Sequence, residues 1–237
     1  TSLVEKKIKI KKRLFMTATE RFLRGSDDEV VSMKDKNIYG TSFYTMTFKE
    51  AIERDIISDY KILTIAVSDS QVSQLIEDNK YLYVSKKNKS ELGAQNLAAG
   101  IALKKTYKEK GIKHAISFHR TIGNAKDFQK QQDQLNKIQG IGPKVTNLHI
   151  SSKKSTGERA ELIEDFKDKK RSLITNARCL TEGVDVPAID SVIFVDPKQS
   201  VIDIVQAAGR ALRKYAGKDF GYIILPIVVP DNMEVEE

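Results

Sequence analysis

The sequence predicts a doubly wound α/β domain, with a mainly parallel sheet and helices on both faces. From about Leu92 onward, segments with helical periodicity alternate with strand-like runs. The strand-like runs are short and apolar throughout, which is typical of strands buried on both faces. The helical segments repeat apolar residues at a spacing of three to four. Alternation of this kind indicates strand–helix–strand units that build a parallel sheet.

Each element follows from its own pattern. A helix over residues 92–110 places Leu97, Ala98, Ile101 and Ala102 on one side. The spacing of residues 155–158 is that of a capping box, which predicts a helix beginning there and running to residue 166. The remaining predicted helices cover residues 125–138 and 200–215, and the predicted strands cover residues 115–118, 145–150, 172–175, 192–195 and 220–225.

The first 70 residues do not complete such a unit. They contain a strand-like run ending at residues 14–16, a capping-box helix start at 47–50 and an apolar run at 62–67. They form either an extension that packs on the main domain or the tail of a preceding domain. We predict a division into residues 1–68 and 69–237.

The composition favours a phosphate-rich partner without requiring one. Forty Lys and Arg face 32 Asp and Glu, a formal charge of +8. A basic run at residues 167–171 has the composition of a solvated face. The single Cys179 excludes an internal disulfide, and the three histidines lack ligand spacing, so no metal site is expected in the chain. No apolar run approaches the ~18 residues of a membrane span, so we expect a reduced, cytoplasmic compartment.

The predicted helix over residues 200–215 carries an unusual polar face. At about 100° per residue, Gln206, Arg210 and Arg213 fall within a narrow arc opposite the apolar side. Two arginines beside an amide form a fork-like array of donors suited to phosphate oxygens. Gly209 in the helix interior costs about 1 kcal/mol relative to Ala, which suggests a close approach. A plain amphipathic helix would also show a polar face.

The segment over residues 176–187 is a second candidate. It follows a predicted strand and combines polar residues, a glycine and an aspartate. Open α/β sheets hold ligands at such strand ends. An ordinary connection would have a similar composition.

Four segments together resemble the motifs of superfamily 2 helicases, in the order of that family. Residues 16–19 resemble motif III, and residues 116–120 resemble motif IV. Residues 175–185 resemble motif V, and residues 206–213 resemble motif VI, Gln-x-x-Gly-Arg-x-x-Arg. Residues 39–60 are similar to the restriction-enzyme-like and helicase-associated branch.

The resemblance implies two RecA-like domains with ATP between them and nucleic acid lying across both. This chain would be the second domain with the tail of the first, and the branch favours DNA over RNA. Arg210 and Arg213 would be arginine fingers for the γ-phosphate, and Gln206 would help to organise that site. Gly183 and Asp185 would lie near the nucleotide.

The resemblance also assigns residues to the nucleic acid and to the domain interface. The predicted phosphate-backbone contacts are Ser117, His119, Arg120, Thr175 and Asn176. Thr17 and Thr19 would couple the two domains.

The sequence contains neither a G-x-x-x-x-G-K-[ST] loop nor an acidic Asp-Glu-x-His/Asp strand. Nothing in it would cradle the β- and γ-phosphates or hold Mg²⁺, so the chain alone is expected to hydrolyse no ATP. The N-terminal RecA-like domain would supply these groups. Two alternatives stay open: a non-catalytic RecA-like module that binds nucleic acid or protein, and an unrelated doubly wound domain that binds a small phosphorylated ligand.

Overall fold

The structure is a computed structural model, and it describes residues 12–17, 32–78, 91–177, 186, 188–196 and 201–229. By its internal contacts the chain divides into two compact units, Thr1–Ala51 and Ile52–Glu237. The larger unit contains the sheet and is described first.

A six-stranded sheet forms the centre of the larger unit. Its strands, in the spatial order β1-β6-β5-β2-β4-β3, are all parallel to their neighbours. This confirms the predicted doubly wound sheet. In chain order the strands are β1 Asp59–Ser68, β2 His114–Phe118, β3 Thr146–Ile150, β4 Ser172–Asn176, β5 Ser191–Phe194 and β6 Phe220–Val229.

Helices cover both faces of the sheet, as predicted. The helices of the chain are α1 Lys36–Tyr39, α2 Phe48–Glu53, α3 Asp69–Asp78, α4 Glu91–Glu109, α5 Ile122–Leu135, α6 Thr156–Asp168 and α7 Val201–Ala211. Successive strand residues alternate between the faces. Ile116 packs in one buried cluster with residues of α6 and α7, whereas its neighbour Ala115 packs in another with residues of α4 and α5.

Local chemistry explains where the helices begin. The Ser155 hydroxyl accepts from the Glu158 N–H at 3.2 Å, and the Glu158 carboxylate accepts from the Ser155 N–H at 2.8 Å. This reciprocal pair confirms the capping box predicted for α6. Thr121 caps α5 in the same position, with its hydroxyl 3.0 Å from the Asn124 N–H.

The smaller unit differs from the prediction in one element. Residues 12–17 form no regular structure, so the predicted strand ending at residues 14–16 is wrong. A strand needs a neighbouring strand to satisfy its backbone groups, and no described residue pairs with this run. The predicted helix start is confirmed: α2 begins at Phe48, with the Thr47 hydroxyl accepting from the Glu50 N–H at 3.1 Å.

The apolar run at residues 62–67 is part of β1, and β1 belongs to the main sheet. All ten of its residues pair with β6, from Asp59 with Phe220 to Ser68 with Val229. The predicted division at residue 68 placed this strand with the tail instead. An apolar run predicts a strand, but it does not say which strand lies beside it. Among the described helices, none is long and apolar enough to cross a membrane.

Candidate functional site

Parallel strands bring their carboxyl ends to one border of the sheet. We call the ends of β2, β3, β4 and β5 the carboxyl edge. The predicted nucleic-acid contacts of motifs IV and V all lie there, because β2 ends at Phe118 and its neighbour β4 ends at Asn176. The structure therefore brings together two segments that are more than fifty residues apart in sequence.

Four of these five residues are buried. Ser117, Thr175 and Asn176 have no exposed surface, and His119 is 2% exposed. Their polar atoms bond to one another and to neighbouring strands. The Ser117 hydroxyl lies 2.8 Å from His119 Nε2, and the His119 N–H donates to the Asn176 carbonyl at 2.9 Å. These groups join β2 to β4 beneath the edge.

Arg120 is the exposed member of the set. Asp196, which sequence reasoning missed, fixes its backbone. This buried carboxylate follows β5 and accepts from the Arg120 N–H at 2.5 Å and from Asn124 Nδ2 at 3.2 Å. An acidic residue directly after an apolar strand was the available signal. Asp196 therefore orients the start of α5 and fixes the backbone that carries the Arg120 side chain.

Two buried histidines add neutral groups to this edge. Burial lowers the pKa of His119 to about 4, with Asp196 opposing the shift and His149 adding to it. Burial also lowers the pKa of His149, whose Nδ1 lies 3.0 Å from the Thr175 hydroxyl. Both rings are uncharged at neutral pH, because a buried imidazolium loses its hydration. They act as hydrogen-bonding groups that position β2, β3 and β4.

The motif VI helix is shorter than predicted. α7 ends at Ala211, not near residue 215, so Arg213 lies in the turn that follows it. Arg210 is 6% exposed, and Arg213 is half-buried. Gln206 lies in α7, but its side chain is outside the described part of the structure, as are Gly183, Asp185 and Thr19. Thr17 is described and exposed.

The turn bearing Arg213 lies at the opposite border of the sheet, which we call the amino edge. α7 runs from the end of β5 back to the start of β6, so its last residues lie near the beginnings of the strands. The Leu212 carbonyl accepts from the Ser58 N–H at 2.8 Å, one residue before β1. The Arg213 carbonyl accepts from Lys218 Nζ at 2.6 Å. Arg213 and Arg120 therefore lie at different edges.

The close approach predicted at Gly209 occurs at Gly221 instead. A Cβ added to Gly209 would meet no described atom within 4 Å. A Cβ added to Gly221 would lie 2.2 Å from the Ala211 carbonyl oxygen, far inside van der Waals contact. The last turn of α7 thus packs directly on the backbone of β6. Gly221 allows this packing and sets the height of the Arg213 turn above the sheet.

Residues 52–58, which we call the connecting segment, hold the same turn from another side. Asp55 has a φ of 59°, in the left-handed region that few residues other than glycine adopt. Its carboxylate forms an ion pair with Lys214, the residue after Arg213. Together with the Ser58 hydrogen bond, this pair ties the connecting segment to the Arg213 turn.

Comparison with known proteins agrees with these motifs. Residues 99–215 match the family described as the helicase conserved C-terminal domain. The ATP-dependent Type ISP restriction-modification enzyme LlaBIII, in a structure bound to DNA, is 31% identical with a TM-score of 0.69. That alignment covers 86% of this chain and 14% of LlaBIII. The chain carries a superfamily 2 helicase C-terminal domain. Its six-stranded parallel sheet is the RecA-like fold.

Two curated relatives also match this chain. A "Probable helicase" of African swine fever virus is 25% identical over 221 residues, which is 92% of this chain and 23% of the viral protein. UvrABC system protein B of Bacillus licheniformis is 32% identical over 96 residues, 38% of this chain and 14% of that protein. The chain thus spans less than a quarter of these relatives. The matched helicase domain includes both Arg120 and Arg213 but not Thr17.

Proposed function

We propose that this chain is the C-terminal motor half of an ATP-dependent superfamily 2 translocase or helicase. The observation that carries the proposal is the fixed position of the motif VI turn. Three contacts hold it: the Ser58 N–H, the Lys218 ammonium and the packing of Ala211 on Gly221. A cation that is already fixed before the reaction can stabilise the negative charge that develops on the phosphoryl group without first reorganising. Arginine fingers act in this way.

Arg213 is the main finger in this proposal, because it is half-buried rather than enclosed. Arg210, at 6% exposure, would support it from the last turn of α7. Both side chains offer N–H donors that fit phosphate oxygens. Bound ATP would supply the phosphoryl group to be transferred, with Gln206, Gly183 and Asp185 as further contacts.

Magnesium would be held mainly by the N-terminal RecA-like domain. Within the described residues, no group of three or more His, Cys, Asp or Glu side chains is placed to hold a metal ion. The donor set around Arg213 is cationic, and it therefore suits the phosphates and not the metal. Thr17 and Thr19 stay our candidates for coupling between the domains.

We place the bound nucleic acid across the carboxyl edge in this proposal. Arg120 is exposed there with its backbone fixed by Asp196, so it is the proposed phosphate contact. The buried Ser117, His119, Thr175 and Asn176 would shape that contact from below. Phosphate contacts fix position without reading sequence, so binding should tolerate sequence changes and weaken with salt. DNA is the favoured track, because LlaBIII is described as bound to DNA.

The test is Arg213→Ala in the protein that contains the ATP-binding loop. Loss of a finger in related NTPases lowers turnover by about 10³-fold or more. We expect nucleic-acid-stimulated ATP hydrolysis to fall by that order while nucleotide binding is largely kept. Lys214→Ala, at the adjacent exposed position, is the matched control. Unchanged hydrolysis in Arg213→Ala would reject the finger role.

A non-catalytic RecA-like binding module is the second candidate. The burial of Arg210 favours it, because an enclosed guanidinium also serves a purely structural role. This candidate requires that Arg213→Ala leave turnover unchanged, and that Arg120→Ala still weaken nucleic-acid binding.

A further inference from the structure

A cleft of about 570 Å³ opens at the amino edge, on the border opposite Arg120. Three loops build its walls, each of them leading into a strand. They are the loop from α4 to β2, the loop from α6 to β4, and the loop from the Arg213 turn to β6. None of the helicase motifs that we assigned to nucleic acid lines it.

The cleft is strongly basic. Six lysines line it against two aspartates. The basic run at residues 167–171, which the sequence predicted to be a solvated face, supplies half of the lysines and forms one wall. The six are Lys110, Lys113, Lys167, Lys169, Lys170 and Lys218.

Two of the six lysine side chains are already engaged. Lys218 donates to the carbonyls of Ile189 and Arg213, at 2.7 and 2.6 Å. Lys167 pairs with Glu164 at 2.7 Å. Asp190, at the floor of the cleft, accepts from the backbone N–H groups of Lys113 and His114 at 2.6 and 3.1 Å. One of the two aspartates is thus turned to the protein's own backbone.

Four lysines from two loops are left to face a ligand. They are exposed, and none of them makes an ion pair with any carboxylate that the structure describes: Lys110, Lys113, Lys169 and Lys170. Like charges gathered in a concavity repel one another, and the walls of low dielectric focus their field. An anion that bridges the loops removes this repulsion.

We propose that this amino-edge cleft binds a phosphate-bearing polyanion. The ligand must span the two walls, so a chain of phosphates fits better than a single ion. Two sources share this chemistry: the backbone of a nucleic acid, and a soluble polyphosphate. Arg213 does not line the cleft, and the cleft lies at the edge opposite Arg120, so the proposal extends the proposed function without depending on it.

The experiment measures binding of sodium tripolyphosphate and of a short single-stranded oligodeoxythymidine by calorimetry at low salt. The cleft variant carries Lys110→Glu and Lys169→Glu together. The matched control carries Lys137→Glu and Lys144→Glu, which make the same charge change at exposed positions that do not line the cleft. Circular dichroism checks that each variant is folded. Lys110→Gln with Lys169→Gln replaces the cleft variant if the glutamates prevent folding.

We expect tripolyphosphate to bind the cleft variant at least about tenfold more weakly and the lysine control with unchanged affinity. An equal loss of oligonucleotide binding assigns the site to a nucleic-acid backbone, whereas unchanged oligonucleotide binding assigns it to a soluble polyphosphate. Equal tripolyphosphate affinity in the cleft variant and the lysine control overturns the proposal.

Discussion

The two edges of this sheet differ in charge and burial. At the carboxyl edge, the buried Ser117 and His119 bond to each other, Thr175 bonds to a histidine of the next strand, and the exposed Arg120 follows β2. At the amino edge, lysines line a cleft, and the Arg213 turn is held by the Ser58 N–H together with the side chain of Lys218.

The difference shows that residues of one motif segment can be buried while their neighbour is exposed. Ser117 and His119 belong to the motif IV segment, yet they have almost no exposed surface. Their hydrogen bonds fix the backbone from which Arg120 projects. At the amino edge the same role falls to Gly221 and Ser58, which lie outside the four segments that resemble helicase motifs. Substitutions can therefore distinguish residues that fix the backbone from the exposed residue that this backbone carries.

The largest effect is expected at Gly221, on the amino edge. Gly221→Ala places a Cβ against the Ala211 carbonyl, and such overpacking costs about 1–3 kcal/mol of the free energy of unfolding. Gly209→Ala is the control, because its Cβ meets no described atom and Ala favours a helix by up to about 1 kcal/mol. Denaturant unfolding measures both. Equal effects of the two substitutions would contradict the close packing of α7 on β6.

At the carboxyl edge, effects on stability and on nucleic-acid binding can be assigned to different residues. Ser117→Ala removes the hydroxyl that meets buried His119 Nε2, and we expect it to lower the free energy of unfolding by about 1–2 kcal/mol. Arg120→Ala should leave unfolding nearly unchanged and weaken oligonucleotide binding across all sequences, with a smaller salt dependence. A loss limited to one oligonucleotide sequence would rule out a backbone contact.

An effect confined to acid pH is expected from Asp190. Burial raises its pKa from 3.8 to about 6, against the opposing hydrogen bonds from the Lys113 and His114 N–H groups. The folded state therefore binds the proton more tightly than the unfolded state, and this contribution to stability is lost as pH rises from about 4 to 6. Unfolding measured across that range should show the loss, and Asp190→Asn should remove it. An NMR titration midpoint near 4 would contradict the raised pKa.

The smallest effect should come from the ion pair between Asp55 and Lys214. Both side chains are largely exposed, and exposed pairs contribute between about 0 and 1 kcal/mol. Asp55→Ala and Lys214→Ala, with the double variant, form a cycle that isolates the pair. Asp55→Gly should be at least as stable as Asp55→Ala, because glycine adopts the positive φ without strain. A coupling well above 1 kcal/mol would show that the pair is screened from solvent.

Much of the fold could be predicted because its signals are local. The capping box at Ser155 and the apolar runs of β2 and β4 each depend on a few adjacent residues. The partner of β1 could not be predicted, since an apolar run does not specify its neighbour. The burial of Arg210 and the early end of α7 were missed for a related reason: helical periodicity ignores what packs around the helix. Asp196 and Gly221 matter only through residues distant in sequence.

The hydrogen bond from Ser58 to Leu212 joins two places that the sequence keeps more than 150 residues apart. The chain reaches β1 through the connecting segment, and the last step before the strand is bonded to the turn that precedes Lys214. A displacement of the connecting segment that breaks this hydrogen bond would therefore free the carbonyl of Leu212, the residue directly before Arg213.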